Sequence, residues 1–178
     1  MPSNIEEDQV NTSFRAHSDG RLVGEGLAFR CALGREGVTG AEIKREGDGK
    51  SPLGAWPMRR VFYRPDRVAP PDTGLETVPL APHDGWCDAP GDPLYNRPVT
   101  LPCPVSHERL WRDDHAYDLI VELGYNDDPP VDGRGSAIFL HLAGPEYSGT
   151  AGCVALGEQD LLAMLRLCSC ETRLEIAL

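Results

Sequence analysis

The chain has 178 residues, a length suited to one domain with a substantial core. A hydrophobic fraction of 40% beside 25% charged residues excludes a disordered chain, and no apolar run is long enough to cross a bilayer. A net charge of −11, with Lys44 and Lys50 the only lysines, argues against a nucleic-acid partner, because phosphate binding is driven by clustered positive charge.

The opening "MPSNIEEDQVNTSF" is polar and acidic, without the basic start and apolar stretch of a secretion signal. Residues 1–9 read as a flexible tail and 10–178 as a single domain. From Asn11 to Val38 the pattern predicts a meander of short strands turning at Asp19-Gly20 and Gly24-Glu25-Gly26. Lys50 to Pro57, "KSPLGAWP", reads as the end of a charged loop and a Pro-Gly turn ahead of a strand over Met58 to Tyr63. Pro65 to Pro104 is rich in Pro, Asp and Gly and reads as a long functional loop, whose Trp86 and Tyr95 either form its own small core or line a peptide groove, the core being favoured.

From Ser106 a short helix is expected, capped by Ser106 with Glu108 in its first turn, then a strand through Tyr117 to Leu123. Asp113, Asp114 and His115 read as residues that cap or pair locally. The stretch "YNDDPPVDGRG" reads equally as part of a cleft wall or as a turn with solvated charges. Ser136 to Leu142 predicts a strand covered on both faces, and "GEQDLLAMLRL" a helix with apolar residues at helical spacing. "TRLEIAL" ends the chain as a strand. The fold class is therefore mainly β, with one or two short helices. The six cysteines, at 31, 87, 103, 153, 168 and 170, form no paired CxxC motifs, so no metal centre is expected.

The chemistry concentrates in Ser136 to Leu162, "SAIFLHLAGPEYSGTAGCVALGEQDLL". Taken singly, a strand-end histidine is a structural residue and an isolated cysteine a small buried hydrophobe. Together, His141 and Cys153, joined by a Gly-rich loop, suit a base and a nucleophile for acyl transfer. Gly152 lets the backbone approach a substrate, and the amides of Gly152 and Cys153 suit a developing oxyanion. No acidic third member stands nearby, so a backbone carbonyl just after His141 is expected to fix the imidazole tautomer.

A strand ending in His, followed by a loop and Ser/Thr-x-Gly-Cys-Val, resembles the catalytic signature of the L,D-transpeptidase, or YkuD, domain. Here His141, Thr150, Gly152, Cys153 and Val154 carry it. "KSPLGAWP" is similar to that family's Thr-Pro-x-Gly-x-aromatic segment. "DGWCDAP", "YNRPV", "LGYNDDPPVDGRGSAIFLH" and "GCVAL" look like a bacterial subgroup with TAGCVAL in place of SHGCxR. The resemblance implies a β-sandwich or sheet core, no cofactor, and a peptidoglycan stem peptide or muropeptide as partner. It further implies a Cys153 thioester formed with release of D-alanine.

Two positions depart from the family pattern: Ala151 where a His is usual, and Ala155 where Arg or Asn is usual. Arg134, Arg97 or Asn126 are the expected replacements for holding the donor, alongside Thr150, since guanidinium groups grip carboxylates. Alternatives are an L,D-carboxypeptidase or amidase on the same scaffold, and a non-catalytic wall-binding domain. The resemblance implies a periplasmic or envelope location; the polar N-terminus leaves a cytoplasmic one open.

Overall fold

The computed structural model describes residues 13–178; the expected tail over residues 1–9 lies outside the described residues. The strands in chain order are β1 (Ser13–His17), β2 (Arg21–Gly24), β3 (Leu27–Ala32), β4 (Val38–Gly40), β5 (Ser51–Tyr63), β6 (Glu76–Pro79), β7 (Asp84–Cys87) and β8 (Pro98–Thr100). They continue with β9 (His107–Arg109), β10 (Leu119–Leu123), β11 (Phe139–Leu142), β12 (Val154–Leu156) and, after helix α1 (Glu158–Leu165), β13 (Arg173–Ala177).

The expected meander forms as β1, β2 and β3. Its second turn sits on Glu25 and Gly26, both at positive φ, the twist that suits a tight hairpin. The larger sheet then closes on itself. The pairings run β10-β11-β12-β3-β2-β1-β13-β5, and β5 pairs again with β10. Strand β5 makes this possible by serving two neighbours: Gly54–Pro57 lie against β13, and Met58–Tyr63 against β10. Strands β1 and β13 pair in parallel, so the two ends of the described chain are tied together.

Strand β10 is buried along its whole length, because each of its faces meets a different apolar layer. Leu119, Val121 and Leu123 join the core inside the closed sheet, together with Leu140 and Leu142 of β11. Ile120 and Phe139 point the other way, into a second core with Trp86, Leu110 and Tyr117. That second core is covered by a small sheet in the order β8-β7-β9. The period-2 alternation of the strands thus separates an inner core from an outer one. Helix α1 buries Leu161, Met164 and Leu165, the spacing of one helical face, and carries Glu158 and Asp160 at its dipole-favoured first turn.

Four sequence expectations are corrected. Residues 107–109 are strand β9 and not a helix from Ser106: Trp86 lies opposite Glu108 and Cys87 opposite His107. Pairing with β7 outweighs the local capping signal, a tertiary override of propensity. The supposed loop from Pro65 to Pro104 contains β6, β7 and β8, each of three or four residues, too short to show a period. Ser51 to Pro57 belongs to the 13-residue β5 and not to a turn ahead of it. Trp86 and Tyr95 are buried, but not in a core of the loop's own: Trp86 packs edge-on against Phe139 of β11, and the Tyr95 hydroxyl donates to Glu46 and accepts the Gly135 amide.

Candidate active site

His141 stands on β11 and Cys153 immediately before β12, and these two strands are parallel neighbours with His141 opposite Ala155 and Leu140 opposite Val154. Alternation puts Cys153, Ala155 and His141 on one side of the sheet, away from the inner core. All three line a cleft of about 930 Å³. Its opposite wall comes from the small sheet and the segment after it, chiefly Glu108, Arg109, Arg112 and Tyr117, and its rim from Ser148 to Ala151.

The turn that presents the thiol is held from two sides. Gly152 adopts φ 140°, and a Cβ there would meet the Lys50 carbonyl oxygen at 2.9 Å, so the position requires glycine. Ser51, fully buried at the start of β5, accepts from the Gly34 amide and donates to the Gly152 carbonyl at 2.8 Å. Thr150 Oγ1 donates to the Cys153 carbonyl at 2.6 Å and accepts the Gly152 amide at 3.1 Å. The second matching block, "KSPLGAWP", therefore holds the turn that carries Cys153 directly.

Cys153 is only 6% exposed. Its Sγ donates to the Ala137 carbonyl at 3.2 Å and receives the Phe139 amide at 3.4 Å. Burial pushes the thiol up to about 12, and the negative charge of Glu108 works in the same direction. The Ala137 carbonyl that receives the thiol is itself fixed in an unusual place: Ala137 has φ 51°, and its amide donates to Asn96 Oδ1. Buried Asn96 also accepts Trp86 Nε1 and donates to the carbonyls of Tyr125 and Asn126, so its amide is fully used.

His141 Nδ1 lies 3.0 Å from the Leu142 carbonyl oxygen, which can only accept. Nδ1 therefore carries the proton, and Nε2 keeps the lone pair of the neutral ring. This is the tautomer-fixing carbonyl expected just after His141. Burial depresses the imidazole's pKa, against the Leu142 hydrogen bond and with the help of the Arg112 cation. The Tyr117 ring packs edge-on against the imidazole, with centroids 5.3 Å apart. The resting pair is thus a neutral thiol and a neutral imidazole. They share the cleft without a direct hydrogen bond between them, since the thiol is held by Ala137 instead.

Of the other residues singled out from sequence, Thr150 lines the cleft, while Arg97, Asn126 and Arg134 do not. Arg97 donates to the carbonyls of Asn96 and Asp127. Asn126 closes its own loop, donating to the carbonyls of Val131 and Gly135 and accepting the Val131 amide. The loop over residues 125–135 is accordingly a self-bonded turn. Arg112 pairs with Asp114, and His115 with Asp118, the local pairing expected there. Ala151 and Ala155 both line the cleft, so the two departures from the family pattern leave open space beside the imidazole. Arg109, also on the cleft, has no ion-pair partner among the described residues. No cluster of three or more His, Cys, Asp or Glu side chains among the described residues suits a metal ion.

Sequence reasoning missed Ser51, Asn96, Glu108 and Tyr117. Glu108 was assigned to a helix, and the other three gain their roles only through contacts far apart in the chain.

This chain belongs to the YkuD family, the L,D-transpeptidase catalytic domain, whose family model matches residues 9–176. Among solved structures it is similar to an L,D-transpeptidase from Mycobacterium smegmatis, with 10% identity, 93% of this chain and 58% of that chain covered, and a TM-score of 0.42. It is likewise similar to L,D-transpeptidase 1 from Mycobacterium tuberculosis, with 10% identity, 93% and 61% coverage, and a TM-score of 0.41. The chain thus spans about three fifths of the length of those two proteins. No curated protein matches it significantly.

Proposed function

We propose that the chain is a cysteine acyltransferase acting on peptidoglycan stem peptides through a thioester on Cys153. The observation that carries this reading is the placement of Cys153 and His141 on one face of adjacent parallel strands, opening into one cleft with the imidazole tautomer fixed.

The thiol first leaves the Ala137 carbonyl and turns towards His141 Nε2, which takes its proton as Sγ attacks the peptide carbonyl of the donor. The carbon–sulfur bond forms, the carbon–nitrogen bond breaks, and the imidazolium returns the proton to the departing D-alanine nitrogen. The Gly152 amide is committed to Thr150, so the Cys153 amide is the backbone donor left for the oxyanion. Arg109, in place of Arg97 or Arg134, is the guanidinium placed to hold a donor carboxylate. Deacylation by an amine gives a cross-link; deacylation by water gives trimming.

Product analysis with a disaccharide-tetrapeptide donor and an amine acceptor tests the reading. Cross-linked product identifies the transferase. Free tripeptide as the sole product assigns the hydrolase, and unchanged donor with folded protein assigns a non-catalytic binding role.

A further inference from the structure

Glu108 is a carboxylate that works against the nucleophile. It lines the same cleft as Cys153, and its charge opposes ionisation of the thiol. Among the described residues no salt bridge reaches it: the nearby Arg112 guanidinium, whose charge favours the ionised carboxylate, spends Nε and Nη2 on Asp114. Among the described residues the one protein donor to Glu108 is the Tyr117 hydroxyl, which reaches Oε2 at 2.6 Å and leaves Oε1 unpartnered. Tyr117 is buried and packs against the rings of both His141 and Phe139, so it locks the carboxylate to the frame that carries the imidazole. The backbone of β9 fixes it from the other side through pairing with β7. A half-buried anion held this rigidly beside a thiol hinders the first half of an acyl transfer, and electrostatic complementarity favours a cation as its occupant.

We propose that Glu108 is the acceptor-binding residue of the site, taking the ammonium group of a primary-amine acyl acceptor and drawing it towards the Cys153 thioester. This rests on the acyltransferase reading above. In the deacylation step the ammonium gives one proton to Glu108, and the neutral amine attacks the thioester carbonyl. The new carbon–nitrogen bond forms as the carbon–sulfur bond breaks. The amine's second proton passes through His141 Nε2 to the departing Sγ, and Glu108 releases its proton to solvent. Water needs no such docking, so Glu108 sets the choice between transfer and hydrolysis.

The test is the partition of the thioester in wild type and Glu108→Gln, which keeps an acceptor for Tyr117. The donor is a disaccharide-tetrapeptide, the acceptor free diaminopimelate, and the readouts are intact-protein mass and the ratio of amide to hydrolysis product. The expected result is a Cys153 thioester in both proteins, with the ratio at least about tenfold lower in the variant. Hydroxylamine, uncharged at neutral pH, should discharge both thioesters at similar rates. A second measurement needs only the wild type: ethylammonium should outcompete trifluoroethylamine, which is largely uncharged at pH 7. Equal partition in both proteins, or a preference for the neutral amine, overturns the role of Glu108 while leaving the acyltransferase reading intact. Absence of any thioester in the wild type overturns both.

Discussion

Cys153 has the environment of a thiol kept in reserve. Its S–H donates to the Ala137 carbonyl, and burial pushes its pKa up to about 12. A preformed thiolate–imidazolium pair would make the site reactive towards small electrophiles at neutral pH, whereas this arrangement keeps the thiol protonated. The expectation is that iodoacetamide at pH 7 modifies exposed Cys170 well before Cys153, and that Cys153 labelling rises steadily towards pH 10. Peptide mapping by mass spectrometry reads both sites in one sample. Rapid labelling of Cys153 at pH 6 would contradict the protonated resting state. At this scale the sequence was most legible for features that are local: Cys153 and His141 facing one cleft, the glycine at φ 140° and the carbonyl after His141. It was least legible for Glu108, whose position beside the thiol depends on a strand pairing of three residues.

Between elements, the outer core depends on polar contacts as much as on apolar ones. Asn96 ties the β7–β8 connection to the segments flanking β10 and β11, through two acceptor and two donor bonds made in the interior. Asn96→Ala leaves Trp86 Nε1, the Ala137 amide and two carbonyls without their partner. A cost on the order of 3 kcal/mol is expected, since each buried group left unpaired costs about 1–3 kcal/mol and part is recovered by relaxation. Urea unfolding measures this, and a change below 0.5 kcal/mol (roughly the range of a surface substitution) would show that the network is not structural. Long-period elements were readable in advance: the meander, β10, β11, α1 and β13. The small sheet was not, because β7, β8 and β9 are too short to carry a period and earn their pairing from Trp86 and Leu110 packing onto β10 and β11.

Across the whole molecule, the ionisable groups set the response to acid. Burial opposes the ionised form of Asp48, yet the Lys44 ammonium and the amides of Arg45 and Lys50 together hold its carboxyl below the usual range; Arg112 does the same for Asp114. Those two carboxylates stabilise the fold above their ordinary pKa of 3.8, and the contribution is lost as pH falls through their lower folded values. His141 acts earlier. Its folded pKa lies below 6.5, so the unfolded chain takes up that proton first and stability declines as pH drops past 6.5. Glu108, raised by burial, opposes this over a window just above 4.5. The urea midpoint should therefore fall between pH 7 and pH 5, and His141→Gln should flatten that part of the profile. A wild-type midpoint that is level over the same range would contradict the buried neutral imidazole.

The proposed chemistry, a thioester built on Cys153, is tested most directly by intact-protein mass spectrometry of wild type and Cys153→Ala after incubation with a disaccharide-tetrapeptide. Wild type should gain the mass of the donor less D-alanine, in a linkage cleaved by hydroxylamine, and Cys153→Ala should gain nothing. An adduct on both proteins, or on neither while both remain folded, would contradict a thioester on Cys153.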